Sequence, residues 1–339
     1  MEFTARKRLI VLPLLLIGLF IINISLGSVN IPFGEILSII AGEKGNNPVW
    51  FDIVWDFRMT KALTCILAGS ALAIGGLLMQ TLFRNALAGP DVLGLSSGAS
   101  LAVALVFLSQ ASGVQFIASP SPWAVVVAAS IGCGLVFFLV LVISHRMNDN
   151  TSLLIIGLMI GATASSMVYV LEYLSKAEDQ QSFLMWTFGS LGGLNWTELQ
   201  VLAVTLVIAG ALAITLIKPL NSWFLGENYA RSLGVNTRLS RVFIILSACL
   251  LTGAVTAFCG PIAFVGLAVP HLTKLLIKTN NHTILIPAVT LTGASLMLFC
   301  DIVSQLPGST YVLPINAITA LIGAPVVISI IMKAKRISV

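Results

Sequence analysis

An all-α, polytopic membrane protein is the fold class this sequence predicts, and three observations predict it. Hydrophobic residues make up 58% of the 339 and charged residues only 9%, with a mean hydropathy of +1.02, which is too little charge to solvate the surface of a soluble domain of this length. Windows of about 20 residues without Asp, Glu, Lys or Arg recur along the chain, the length a helix needs to cross a hydrocarbon core. These windows are continuously apolar, whereas the strands of a membrane barrel alternate over about 10 residues.

Ten such stretches follow in order, and the basic residues between them sort by side. Residues 9–28 come directly after Arg6, Lys7 and Arg8. A basic start before an apolar run is also how a secretory signal begins, but no convincing small-residue cleavage site follows, so this stretch reads as a retained helix. Residues 62–82 come after Lys44, Arg58 and Lys61, and Arg84 separates them from residues 92–110. Residues 123–144 are followed by Arg146, and residues 153–171 by Lys176. Residues 199–217 open onto the longest polar connection, 219–241, bordered by Lys218 and holding Arg231, Arg238 and Arg241. Residues 242–258 and 262–277 come next; the second is short, carries Lys274 near its end and is followed by Lys278. Residues 284–300 and 314–332 complete the set, before Lys333, Lys335 and Arg336.

With the amino terminus inside, 14 basic residues fall on the cytoplasmic side and Lys44, Arg58, Lys61 and Lys176 on the other, and 14 plus 4 accounts for all 18. An even number of crossings then puts both termini in the cytoplasm. Residues 1–339 read as one transmembrane domain embedded in lipid, with 219–241 as a cytoplasmic segment within it. The pI near 9.1 follows from this bias and requires no nucleic-acid partner.

Reactive chemistry is sparse. Cys65, Cys133, Cys249, Cys259 and Cys300 show no C-x-x-C spacing, which argues against a metal or redox centre. His145, His271 and His282 fall at cytoplasmic helix ends and read as satisfied or solvated side chains. No well-buried carboxylate interrupts the ten stretches, and ion-coupled carriers usually place one at mid-membrane. The phosphate-binding pattern G-x-x-x-x-G-K-[ST] is missing, so any ATP that drives this protein is bound by another polypeptide. Gly94-Leu95-Ser96-Ser97-Gly98 matches the nucleophile pattern G-x-S-x-G, but that pattern needs a strand-to-helix turn above a sheet. In lipid, small residues at this spacing serve close helix packing instead, and Gly157 with Gly161 forms a second such pair.

Within the long connection, Gly226 and Gly234 bracket Glu227 to Leu233, a segment of helix-forming character, which predicts a short helix outside the membrane. Arg58 and Lys61 are unusual as basic residues on the outer side, where they serve either as interfacial anchors or as a charged docking site. Gly157, Gly161, Thr163, Ser165 and Ser166 of the fifth stretch are small or weakly polar, which suits either close packing or the lining of a pathway.

Several stretches in order resemble the FecCD-type permeases of bacterial ABC importers. They are Arg58-Met59-Thr60-Lys61 running into Ala68 to Gln80, Asn85-Ala86-Leu87-Ala88-Gly89-Pro90-Asp91-Val92-Leu93-Gly94, Trp186 to Leu191 with Trp196, Leu225-Gly226-Glu227 with Ala230 to Gly234, Gly260 to His271, and Gly323-Ala324-Pro325. The resemblance implies the type II importer fold with ten transmembrane helices in the bacterial inner membrane. It implies a permease without chemistry of its own that moves ferric siderophore, haem or cobalamin. The expected partners are a second permease, identical or related, two ATPase subunits that carry ATP and Mg, and a soluble binding protein. No cofactor or metal is expected on this chain.

By the same resemblance, Gly226, Glu227, Tyr229, Ala230, Arg231 and Gly234 form the coupling helix that docks on the ATPase. Arg58, Lys61 and the position of Gln305 meet acidic residues of the binding protein, and Asn85, Leu87 and Thr151 narrow the pathway near its cytoplasmic end. The family commonly has arginine at the positions of Lys61 and Gln305, and lysine cannot fork onto a carboxylate as arginine does. Its proline after Asn85 is Ala86 here, which predicts a less rigid turn. An ion-coupled secondary transporter is the alternative from another class, and an intramembrane enzyme using Ser96 is a third.

Overall fold

A computed structural model describes residues 2–43, 47–108, 121–146, 150–305 and 311–337. Lys44 and the last two residues of the third apolar stretch lie outside them. The described residues are helical, with no strand among them.

Helix α1 (Glu2–Ser25) is followed by the short α2 (Phe33–Ile40) and α3 (Pro48–Asp52). The latter continues through a π-helical turn, Ile53–Met59, into α4 (Thr60–Phe83), so that Pro48–Phe83 is one 36-residue rod. Thr60 Oγ1 donates to the carbonyls of Asp56 at 2.6 Å and Phe57 at 3.1 Å, satisfying acceptors that the wider turn leaves out of register. A 3₁₀ turn at Pro90–Leu93 leads into α5 (Leu95–Leu108), then α6 (Pro122–Arg146), α7 (Asn150–Leu174), α8 (Ala177–Thr187) and α9 (Trp196–Thr215). The short α10 (Ile217–Phe224) and α11 (Glu227–Ser232) precede α12 (Thr237–Cys259), α13 (Val265–Ile277), α14 (His282–Ser304) and α15 (Ile315–Ile337).

Side-chain caps mark several starts. Asn195 and Glu198 form a reciprocal capping box on α9, both bonds being 3.0 Å, and Asn236 and Asn281 cap α12 and α14.

Among the described residues, six segments are long and apolar enough to cross a membrane: Pro48–Phe83, Pro122–Ile143, Ser152–Leu174, Trp196–Thr215, Thr237–Cys259 and His282–Ser304. Four shorter apolar helices, Leu9–Ser25, Leu95–Leu108, Val265–Ile277 and Ile315–Ser329, accompany them. Each of the ten stretches read from the sequence falls on one of these ten helices.

Helix α4 is the hub, packed against α14, α12, α13 and α9. Its membrane-length window is 78% buried, against 28% for α6 and α7, so α4 is enclosed by protein while α6 and α7 keep an apolar outer face for lipid or another subunit. Glycine sets the closest seams. A Cβ on Gly69 would strike the Gly293 carbonyl across α4 and α14, and one on Gly76 the Gly266 carbonyl across α4 and α13. Such backbone approach supplies the packing that replaces a hydrophobic drive in lipid.

Candidate functional site

Polar side chains gather at the two ends of this bundle. At one end Arg58, in the last turn of the π-helical segment, turns its guanidinium onto the end of α1. Nη1 donates to the Ile24 carbonyl at 2.8 Å and the Ser25 carbonyl at 3.1 Å, and Nη2 to the Val29 carbonyl. The first two are carbonyls that α1 leaves unpaired where it stops, the third belongs to the chain just beyond it, and the planar fork reaches all three at once. The residue is only 8% exposed. One turn further on, Lys61 Nζ lies 2.9 Å from Asp301 Oδ1, the two side chains being 21% and 3% exposed. Asp301 Oδ2 accepts from Asn23 Nδ2 at 2.8 Å and Gln305 Nε2 at 2.7 Å. Helices α1, α4 and α14 thus meet on one carboxylate, in the wall of an open cavity of about 620 Å³ that Gly189 to Gly193 also line.

Arg58, Lys61 and Gln305 are therefore brought together at this end. The sequence reading missed that Arg58 and Lys61 are already partnered within the chain, and by what. The signal was present: Asp301 is the only acidic residue after Glu227, and a lone carboxylate at the edge of an apolar stretch needs a counter-charge.

At the opposite end, α10 and α11 form an elbow before α12. Glu227, in the first turn of α11, pairs through Oε1 with Arg231 at 3.3 Å and through Oε2 with Arg241 of α12 at 3.0 Å. The Arg241 guanidinium carbon lies 5.8 Å from the centre of the Trp223 ring of α10, within cation–π range. Gly226 and Gly234 bracket α11 with φ of +120° and +80°, conformations that side chains resist.

This geometry corrects the contact set expected of the short helix. Ala230 is fully buried against the chain itself, and Glu227 faces α12, because a six-residue helix must bury one side to stay in place. Tyr229 and Arg231 point outward, Arg231 with 67% of its side chain exposed, and Leu225 and Leu233 are exposed beside them. Behind the elbow, Asn221 Oδ1 of α10 accepts from the His282 backbone N–H at 2.9 Å and lies 2.8 Å from His282 Nδ1. An amide oxygen only accepts, so Nδ1 carries the hydrogen, and Nε2 faces Thr81 Oγ1 of α4 at 3.0 Å. His282 is buried and fully partnered, and it ties α10 to α4 and α14.

The pathway candidates divide. Asn85 Oδ1 accepts from the Leu87 N–H at 2.9 Å, a side-chain turn that supplies some of the rigidity a proline would give, and both residues are exposed. Gly157 and Gly161 are buried: a Cβ on Gly94 would lie 3.0 Å from the Gly157 carbonyl oxygen and 2.9 Å from the Gly161 nitrogen. Of the two readings open for them, close packing is what their surroundings show. Thr163 and Ser166 are exposed and donate to the carbonyls of Met159 and Ala162, both at 2.9 Å; Ser165 is half-buried. The glycines and the exposed hydroxyls lie on different faces of α7. Thr151 is in the first turn of α7, its side chain outside the described ones. Ser96 donates to Asp91 Oδ1 at 2.5 Å in the first turn of α5. No histidine among the described residues is hydrogen-bonded to it, so the general base of a serine hydrolase is not in place.

A family model, the FecCD transport family, matches residues 14–333. The chain belongs to the FecCD transport family. This FecCD chain is 33% identical over 332 residues to the vitamin B12 import system permease protein BtuC of Klebsiella pneumoniae, covering 98% of this chain and 95% of that one. It is 34% identical over 308 residues to the protein of the same name from Escherichia coli, covering 89% and 92%. A solved structure of a metal-chelate type ABC transporter in an inward-facing conformation matches with a TM-score of 0.83 at 29% identity, over 97% of this chain and 99% of that one. As a FecCD protein with this set of apolar helices, the chain is a multi-pass inner-membrane transport permease rather than an enzyme.

Proposed function

We propose that this FecCD chain is the translocation subunit of an ATP-driven importer for a bulky metal chelate or corrinoid, namely a ferric siderophore, haem or cobalamin. It crosses the membrane ten times with both termini in the cytoplasm and pairs with a second permease, identical or related. Two ATPase subunits, carrying ATP and Mg, bind the end that holds α11, and a soluble binding protein docks at the end that holds Arg58, Lys61 and Gln305. Asn85, Leu87, Thr151, Thr163, Ser165 and Ser166 border the route between the two permeases, while Gly157 and Gly161 hold α7 against the turn at Gly94.

The observation that carries this reading is the build of α11. Its inner face is locked to α12 by the Glu227–Arg241 pair, Ala230 is buried within the chain, and Tyr229 and Arg231 are left outward on a rigid mount. A lever needs this combination: a fixed attachment to the membrane helices, here reinforced through His282 to α4, and an exposed tip for the subunit that moves it. Arg231, paired with Glu227 at its base, adds charge at that tip.

Tyr229→Asp tests the assignment. The side chain lies outside the bundle, so the chain should fold and insert normally. Loss of a hot-spot aromatic weakens an interface by about 2 kcal/mol or more, so the affinity for the ATPase should fall roughly thirtyfold or further and its retention on the purified permease with it. Unchanged retention together with unchanged coupling of ATP turnover to transport would remove α11 as the contact.

A further inference from the structure

We infer that Asp301 is an internal counter-ion that occupies Lys61 and competes with the acidic groups of the soluble binding protein that docks on this end of the permease. This rests on the docking role proposed for Lys61. Both basic residues line the open cavity, but Arg58 is 8% exposed and gives its donors to the carbonyls of Ile24, Ser25 and Val29, whereas the Lys61 side chain is 21% exposed, so Lys61 is the one with charge to offer a partner. Asp301 is its described partner there, at 2.9 Å. An ammonium has three donors, which leaves hydrogens for an incoming carboxylate, but the attraction it offers is already partly neutralised.

The carboxylate is built to stay put. Both its oxygens are engaged, Oδ1 by Lys61 and Oδ2 by Asn23 and Gln305, and its side chain is 3% exposed. Lys61 carries its charge on a flexible stem and is the mobile member of the pair. A docking carboxylate therefore shares Lys61 with Asp301 instead of stripping it away, since an unpaired buried carboxylate is costly. Asp301 weakens docking by design of position. Because Asn23 belongs to α1, Lys61 to α4 and Asp301 to α14, the shared carboxylate also brings all three helices to the contact.

The test uses the full chain in phosphatidylcholine nanodiscs and a fluorescein-labelled oligoglutamate peptide, followed by fluorescence anisotropy at low and high salt. Asp301→Asn keeps the shape and removes the charge. It should tighten peptide binding roughly three- to tenfold and steepen its salt dependence. Lys61→Gln alone should weaken binding, and in the Lys61→Gln background Asp301→Asn should bring little gain. Asn23→Ala, which strips a donor from the carboxylate and leaves Lys61 held harder, should shift binding the other way. A role for Asp301 in folding alone predicts weaker or unchanged binding in Asp301→Asn, and either result overturns the inference while Lys61→Gln still reports on docking. A gain that persists undiminished without Lys61 overturns it as well, leaving a general field effect. If Lys61→Gln leaves binding unchanged, the docking role of Lys61 fails, and the inference with it.

Discussion

Arg58 holds the end of α1 with donors to three carbonyls, and Gly27 makes room for it, since a Cβ there would lie 2.8 Å from Nη2. Lysine could reach only part of this set with a compact ammonium. Arg58→Lys is expected to lower the thermal midpoint of the detergent-solubilised protein, and Arg58→Ala to lower it further, by the equivalent of about 2 kcal/mol or more for the carbonyls left unpaired in the interior. Fluorescence-detected gel filtration after heating measures both, and an unchanged midpoint in Arg58→Ala would show that water replaces the fork at no cost. Scarcity of basic residues on one side of the membrane made Arg58 and Lys61 legible in the sequence. Their partners were not legible, because Asn23 and Asp301 meet across 278 positions and a single chain carries no mark of which distant residue closes an ion pair. For the same reason Glu227 read as an exposed contact, although Arg241, 14 residues on, holds it inward.

Elements were read well where hydropathy alone decides them. The ten apolar stretches became helices because nothing else satisfies backbone groups away from water. One of them, α13, has only 13 residues, a length that apolarity by itself does not reveal. The π-helical turn before α4, the short α2, α3, α8 and α10, and the solvent-directed face of α11 were not anticipated, since a few turns of mixed polarity leave too short a pattern to read. The small-residue seams were partly legible: Gly94 to Gly98 read as a close-packing match and Gly157 with Gly161 as a second such pair, for which packing and pathway lining both stayed open, but nothing in the sequence showed that Gly94 packs on Gly157 and Gly161. Seams of this kind should be intolerant of a single methyl. Gly76→Ala places a Cβ against the Gly266 carbonyl and must push α4 and α13 apart, so overpacking of at least about 3 kcal/mol is expected, with loss of monodisperse protein. Gly210→Ala has no heavy atom within 4 Å of the new carbon and should change stability by less than about 0.5 kcal/mol. Comparable yields and midpoints for the two would show that the seam relaxes freely.

Seen whole, the molecule places its partnered charges at opposite ends of an apolar bundle centred on α4. That helix carries Lys61 at one end and reaches His282 through Thr81 at the other. A rigid central helix with polar hubs at both ends suits a subunit driven from the cytoplasm by ATPases and loaded from outside by a soluble partner. Ion-coupled transport would instead require a titratable group part-way along the route. The two mechanisms separate in one measurement: uptake of radiolabelled ferric siderophore, haem and cobalamin by cells with and without this chain, before and after a protonophore, with cellular ATP held constant. An ATP-driven importer predicts that uptake of one of these compounds depends on the chain and continues when the proton gradient is collapsed. Uptake that depends on the chain but stops with the gradient while ATP is intact, or uptake of all three compounds that is indifferent to the chain, would contradict it.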